Sequence, residues 1–278
     1  MHKLKIISAA VGLALSLGAA SAAHAAPVVY NLALPNISTF DNVITGTGAS
    51  VYTAQVALGQ SSYTYLDTNN VSQTVSVTRP GTATAFAADT GGYSDGGLSL
   101  SGAVWGISPG GTAGGGTGSL PNIPGFSSGL SFTFSSPVNA FGFEVGDWAT
   151  CCMSNTRPAG VVSAYGVPAT GSGLWIAFDG GAATLPANAL SANDNPGIAH
   201  PNYNSFTNFI GAIDSSGFFS KVTFWGDGFG EYLVAGGTLR FASVPQGSVG
   251  GQVPEPASLA LMGLSLAGLA ALRRRKTA

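Results

Sequence analysis

The sequence predicts an all-β fold, a two-sheet, jelly-roll-like β-sandwich flanked by an N-terminal signal peptide and a C-terminal apolar helix. Helix-favouring Glu, Lys and Gln are scarce, whereas strand-favouring Val, Thr, Phe and Tyr are common. The 41 glycines and many asparagines supply turns between short strands. Aromatic residues make up 10% of the chain, which indicates a packed core rather than disorder.

Short alternating segments follow one another along the chain, each bounded by turn residues. The first, residues 28–37, contains Pro35, which places it at a sheet edge or ends it. Pro137 is predicted to turn the chain after a strand at 130–134. We expect a Gly-rich loop at 108–125 and no amphipathic helix. The other predicted elements are strands at 50–58, 71–78, 98–107, 141–145, 160–167, 174–178, 209–213, 218–224 and 239–241, and one helical turn within 183–193. In the strand at 218–224, Phe218, Val222 and Phe224 are expected to share one face.

The N-terminus has the pattern of a secretory signal peptide. Lys3 and Lys5 form a basic region, residues 6–20 are apolar, and Ala23 and Ala25 fit the small-x-small cleavage rule. We therefore expect residues 1–25 to be removed during export. A permanent N-terminal anchor is disfavoured because the apolar stretch is short.

The C-terminal segment 253–278 contains a Pro-Glu-Pro stop, the uncharged residues 257–272 and a basic end. As a helix, the uncharged part would be about 24 Å long, shorter than the roughly 30 Å of bilayer hydrocarbon. The basic end favours the cytoplasmic side, so the rest of the chain would lie outside. The sequence therefore predicts a weak, transient inner-membrane helix. The residues that define the signal are Pro254, Glu255, Pro256, Arg273, Arg274 and Arg275.

This three-part tail is similar to the PEP-CTERM sorting domain of Gram-negative bacteria. The resemblance implies recognition by a membrane-embedded exosortase after export by the secretion machinery, and cleavage near the Pro-Glu-Pro. It also implies a final place at the cell surface or in the extracellular matrix, in association with exopolysaccharide and biofilm. It does not indicate what the ectodomain, residues 26–244, does; residues 245–252 are predicted to be a linker.

Part of the ectodomain carries a second resemblance. Residues 132–143 resemble a segment common in exported PEP-CTERM ectodomains, and residues 209–211, 222–224 and 239–241 resemble the rest of that pattern. Such domains look like jelly-roll or lectin-like sandwiches. The resemblance, which spans about residues 130–244, therefore implies a lectin-like ectodomain.

The region between the two signals is acidic. Residues 26–252 carry four cations and eleven anions, a net charge of −7. A chain without a basic patch lacks the phosphate contacts that dominate nucleic-acid binding, so we expect no nucleic-acid partner.

Cys151 and Cys152 are the two cysteines of the chain. An oxidising compartment favours a vicinal disulfide that stiffens the loop after Trp148, although a bridge to another chain or two free thiols would use the same residues. A metal site is disfavoured because His200 is the one histidine that follows the signal peptide.

The acidic residues suggest two further hypotheses. A glycosidase needs two carboxylates about 5–10 Å apart, but Glu144 and Asp147 would lie on opposite faces of one strand. Asp41, or Asp227 with Glu231, would have to supply the partner. Asp227 and Glu231 are also candidate calcium ligands, since loop carboxylates suit that ion. We expect these acids to be solvated turn residues and the chain to have no cofactor, with calcium binding and the carboxylate pair as the alternatives.

Two tryptophans, Trp148 and Trp225, are candidates for stacking on sugar rings because each lies near an aspartate at a strand end. The sequence thus predicts an exported, non-catalytic surface or matrix protein that associates with exopolysaccharide. The alternatives are a secreted carbohydrate-active enzyme with a carboxylate pair and a purely structural matrix protein.

Overall fold

The computed structural model describes residues 27–89, 93–95, 98–100, 102–107, 123, 126–146, 156–191, 194, 206–227 and 233–249. The chain divides into two units, Pro27–Gly250 and the two termini, and every described residue belongs to the first. The fold is that of this unit.

Strands dominate the described residues, and two short helices interrupt them. The elements are β1 (Val28–Ala33), α1 (Ser38–Thr45), β2 (Tyr52–Gln55), β3 (Ser62–Leu66), β4 (Ser72–Thr78), β5 (Tyr93–Asp95), β6 (Leu98–Leu100), β7 (Val104–Ile107), β8 (Leu130–Val138), β9 (Ala140–Val145), α2 (Ala159–Tyr165), β10 (Ser172–Phe178), β11 (Thr184–Ala189), β12 (Asn208–Ile213), β13 (Phe219–Gly226) and β14 (Leu233–Ala242). Two 3₁₀ turns lie at Leu34–Asn36 and Phe126–Ser128.

Twelve of these strands form two antiparallel sheets. Sheet A has the order β1-β12-β9-β14-β2, and β7 pairs beside β2 along the same edge of β14. Sheet B has the order β11-β10-β13-β8-β4-β3. β5 and β6 pair with each other. This architecture confirms the predicted all-β, two-sheet sandwich.

The core between the sheets is largely aromatic, because alternate residues of each strand point inward. Neighbouring rings have centroids 4.8–6.4 Å apart in tilted and edge-on arrangements, which suit their charge distribution. The six rings are Phe132, Phe134, Phe141, Phe143, Phe224 and Phe241.

The chain crosses from sheet B to sheet A at Asn139, which is fully buried. Its amide Nδ2 donates to the Val244 carbonyl at 2.8 Å, and its Oδ1 accepts from the Val244 N–H at 2.7 Å. The predicted turn at Pro137 is wrong, because β8 continues through it to Val138. The register with β13 shifts between Thr133 and Val138, and such a bulge tolerates a proline.

Each sheet also has an apolar outer face that a helix covers. On sheet A, Phe40 and Ile44 of α1 pack on Phe209 and Ile213. The expectation of no amphipathic helix is therefore wrong: Phe40 and Ile44 lie one helical turn apart and share a face.

On sheet B, Val161 of α2 packs on the outer face together with Phe126. The strand predicted at 160–167 is wrong, because these residues mostly form α2. Gly166 ends the helix in the left-handed region, with φ of 62°, and its N–H donates to the Val162 carbonyl.

Two further predictions differ from the structure, and one strand was not predicted. The helical turn within 183–193 is instead mainly β11, and β3 was not predicted. Phe218, expected to face inward with Phe224, is 45% exposed, whereas Phe219 is buried. The shifted register at the start of β13 exchanges the two rings.

Candidate functional site

Most residues with a predicted role in signal cleavage, sorting, disulfide formation, glycan stacking or calcium binding lie outside the described ranges, so the structure does not test those predictions. They are Ala23, Ala25, Trp148, Cys151, Cys152, Glu231, Pro254, Glu255, Pro256, Arg273, Arg274 and Arg275. The apolar tail segment 257–272 also lies outside them.

Trp225 is fully buried, which corrects its predicted role in glycan stacking. Its neighbour Phe224 fills the core between the sheets, so the Trp225 ring points to the outer face of sheet B. There it stacks parallel to Trp175 of β10, with centroids 6.2 Å apart, and Phe126 meets it edge-on at 4.9 Å. A ring covered in this way offers no face to a sugar.

Asp227 is 2% exposed and lies at the end of β13. Its Oδ2 accepts from Arg157 Nε at 2.7 Å and from Trp175 Nε1 at 3.2 Å. Its Oδ1 accepts from the Gly173 N–H at 2.9 Å. Both oxygens thus face donors, so Asp227 is not the solvated turn residue that was expected, and its oxygens are not free to hold the candidate calcium ion. Burial raises the pKa of Asp227, and the charge of Arg157 opposes that rise.

Arg157 is the partner that sequence reasoning missed. Its side chain is completely buried, and it donates to Asn188 Oδ1 at 2.5 Å and to the carbonyls of Pro168 and Thr170 at 2.8 and 3.2 Å. These bonds tie the segment before α2 to β11 and β13. The ion pair with Asp227 is therefore a structural anchor beneath the outer face of sheet B.

A second ionic cluster lies on the outer face of sheet A. Arg240 Nε is 3.3 Å from Asp41 Oδ1 of α1, and Arg240 Nη1 is 3.4 Å from Glu144 Oε1 of β9. Burial raises the pKa of Glu144, and Arg240 opposes the rise. Asp41 and Glu144, considered as a carboxylate pair, do approach one site, but the guanidinium binds both of them. The cluster fastens α1 to sheet A.

Four other acids, Asp67, Asp179, Asp194 and Asp214, stabilise turns through backbone N–H groups. Asp67 Oδ1 accepts from the N–H groups of Asn69 and Val71, and Asp179 Oδ1 accepts from those of Ser220 and Lys221. Asp194 and Asp214 accept backbone N–H bonds in the same manner.

Within the described ranges, no group of three or more His, Cys, Asp or Glu side chains is placed to hold a metal ion. No helix in that part of the chain is both long and apolar enough to cross a membrane.

A polar groove lies where the edge strands of the two sheets, β2 and β3, come together. It consists of two hollows of about 290 and 150 Å³ that share Tyr52 and Leu66 as lining residues. Tyr52 is half-buried, and Leu66 is 37% exposed. Eight of the other thirteen lining residues bear a hydroxyl: Thr47, Ser50, Thr53, Thr64, Tyr65, Thr68, Ser72 and Ser243.

The sequence contained a signal for this groove. In β3, Tyr63 and Tyr65 are buried, whereas Ser62 and Thr64 are exposed, which is the alternation of a half-buried strand. Because β3 was not predicted, the predicted fold lacked one of the two strands that line the groove.

Residues 252–276 match the PEP-CTERM protein-sorting motif. The chain carries a PEP-CTERM sorting motif. The motif implies export to the cell envelope or surface and processing by an exosortase. Comparisons with curated proteins and with solved structures found no match, so the lectin-like character of the ectodomain stays a prediction.

Proposed function

We propose that the sandwich is a non-catalytic module that holds this exported protein to exopolysaccharide at the cell surface or in the matrix. The observation that carries the proposal is the PEP-CTERM motif in a chain whose described part is a β-sandwich with a polar groove on one edge. The partners proposed are an exosortase, the secretion machinery, exopolysaccharide and, transiently, the inner membrane through residues 257–272.

The environment of the acids favours binding over catalysis. Asp227 is held by Arg157, and Asp41 and Glu144 share Arg240. A glycosidase instead needs two carboxylates with a sugar between them. Calcium is not required by the proposal, because the carboxylate oxygens of Asp227 face N–H donors.

The test uses the exported protein released from the producing cells and the exopolysaccharide purified from the same cells. Co-sedimentation is measured in calcium and in a calcium chelator, and new reducing ends are measured in parallel. We expect the protein to sediment with the polymer in both conditions without releasing reducing ends.

Other outcomes point to the alternatives. Absence of co-sedimentation in both conditions would contradict the proposal and favour a purely structural matrix protein. Reducing ends that accumulate with time would favour a carbohydrate-active enzyme.

A further inference from the structure

We propose that the groove between the β2 and β3 edges is the glycan-binding site, and that it takes an extended, uncharged polysaccharide segment. This inference rests on the proposed function and adds to it the place of binding and the class of polymer.

Tyr52 supplies an aromatic surface with a fixed orientation. On β2 it pairs in register with Phe241, and one part of its ring packs on the core between the sheets. Its hydroxyl lies 3.4 Å from Asn70 Oδ1 across the groove. The ring is thus held by packing while part of it stays accessible, which is the arrangement that aromatic residues at binding sites use.

The turn after β3 supplies fixed polar groups beside that ring. Asn70 adopts the left-handed conformation, with φ of 58°. The turn is stabilised by Asp67, whose Oδ1 accepts from the Asn69 and Val71 N–H groups and whose Oδ2 accepts from Gln73 Nε2. Polar groups that are ordered before binding lose little conformational entropy when a ligand arrives.

The charge of the groove selects the ligand. Hydroxyl and amide groups, which line most of both hollows, suit the hydroxyls of a neutral sugar. Asp67 is the one charged side chain among the residues that line the two hollows, and none of these residues is a cation. A carboxylated, sulfated or phosphorylated polymer would therefore meet repulsion without a compensating partner.

The shape of the groove favours a polymer. The two hollows meet at Tyr52 and Leu66, so a chain passing over the tyrosine ring would contact both. An extended peptide is the competing occupant of any sheet edge, because such an edge presents unpaired backbone groups. The hydroxyl-rich side chains of this lining favour the glycan.

The experiment measures binding of the exported protein, by affinity electrophoresis, to the producer's exopolysaccharide, to neutral dextran and xylan, and to acidic alginate and hyaluronan. We expect binding to the producer's polymer and to at least one neutral polymer, at least about tenfold tighter than to either acidic one. Tyr52→Ala should weaken binding about tenfold or more, whereas Tyr52→Phe, which keeps the ring, should change it less than about threefold.

Two further variants replace exposed residues, where substitutions should leave the fold intact. Asn70→Gly keeps the left-handed turn but removes the amide, and Thr64→Arg fills the groove from the exposed face of β3; both should weaken binding. Phe218→Ala removes an exposed ring outside the groove and should leave binding unchanged. Circular dichroism checks that each variant is folded.

The outcomes separate this inference from the proposed function. If the unaltered protein binds the producer's polymer and all groove variants bind equally well, the groove is not the site, although the proposed function stands. If the unaltered protein binds none of the polymers, both fall. If alginate or hyaluronan binds as tightly as the neutral polymers, the assigned polymer class is wrong.

Discussion

The two outer faces of the sandwich are built alike but differ in how deeply their ion pairs are buried. Each is an apolar patch under a short helix, secured by an arginine that binds carboxylate. On sheet B, the side chains of Arg157 and Asp227 are 0% and 1% exposed. On sheet A, those of Arg240, Asp41 and Glu144 are 13%, 31% and 13% exposed. Water is therefore excluded from one ion pair and reaches the other.

The difference indicates that ion pairs between the same kinds of group contribute differently according to their burial. An ion pair removed from water loses hydration that its mutual attraction must replace, and breaking it leaves an uncompensated buried charge. A pair that water reaches is screened and contributes less. Burial raises the pKa of Asp227, although the charge of Arg157 opposes that rise. The sheet B pair should thus be costly to break, although it adds little net stability.

The largest expected effect is that of Arg157→Met. Asp227 would remain buried without a counter-charge, and Asn188 and two carbonyls would lose a donor. We expect a loss of about 3–5 kcal/mol in the free energy of unfolding, measured by urea titration at pH 7. Lys221→Met, on β13 of the same sheet but half-exposed, should change stability by less than about 0.5 kcal/mol. Equal losses in the two variants would contradict the contrast in burial.

A smaller effect tests the packing on sheet A. Phe209 lies over Gly142, where an added Cβ would come within 2.2 Å of the ring. Because Phe209 is fully buried, Gly142→Ala should cost about 1–3 kcal/mol, measured by the same titration. Gly106→Ala, where the added Cβ meets nothing within 4 Å, is the matched control. If Gly142→Ala leaves the free energy of unfolding unchanged, α1 and Phe209 can shift to accommodate the added methyl group without cost.

Arg240→Met should cost less than Arg157→Met. Its two carboxylates remain partly solvated, so the expected loss is about 1–2 kcal/mol, between the values for exposed and buried pairs. Raising the salt concentration should reduce the loss for Arg240→Met but leave that for Arg157→Met nearly constant. If Arg240→Met lowers the free energy of unfolding as much as Arg157→Met does, the burial of the ion pair does not distinguish the two faces.

The pH dependence of Arg157→Met sharpens the same comparison. The variant lacks the positive charge of Arg157, which lowers the pKa of Asp227. The pKa of Asp227 in the folded variant should therefore exceed that in the folded unaltered protein. The folded state then keeps a proton that the unfolded state has lost, and stability falls as pH rises above the ordinary value of about 3.9. The stability gap between the two proteins should therefore widen from pH 4 to pH 8, by about 1.4 kcal/mol for each tenfold change in proton affinity. Parallel pH curves would contradict this.

The sequence predicted strands well where apolar and polar residues alternate clearly. It did not predict which outer faces are covered by residues that lie far away in the chain. In β8 and β9, period-two aromatics identified the core face. Trp225 follows the same rule and points away from the core, but the pattern could not show that α2 and Phe126 cover that outer face.

The helices were missed for local reasons. The β-branched Val161 and Val162 suggested a strand, although Gly166 supplied the C-terminal signal of a helix.

Arg157 and Asp227 are 70 residues apart, and the sequence around either residue does not indicate that the two form an ion pair. The groove likewise needs two strands from different sheets, one of which was not predicted.

The intact mass of the protein recovered from the cell surface tests most directly whether the PEP-CTERM motif acts as a sorting signal for this sandwich. We expect a chain that lacks residues 1–25 and ends near Pro254, and a Pro254→Ala, Pro256→Ala variant that keeps its tail and stays with the inner membrane. A surface protein that still ends in Arg273–Ala278 would contradict sorting by an exosortase.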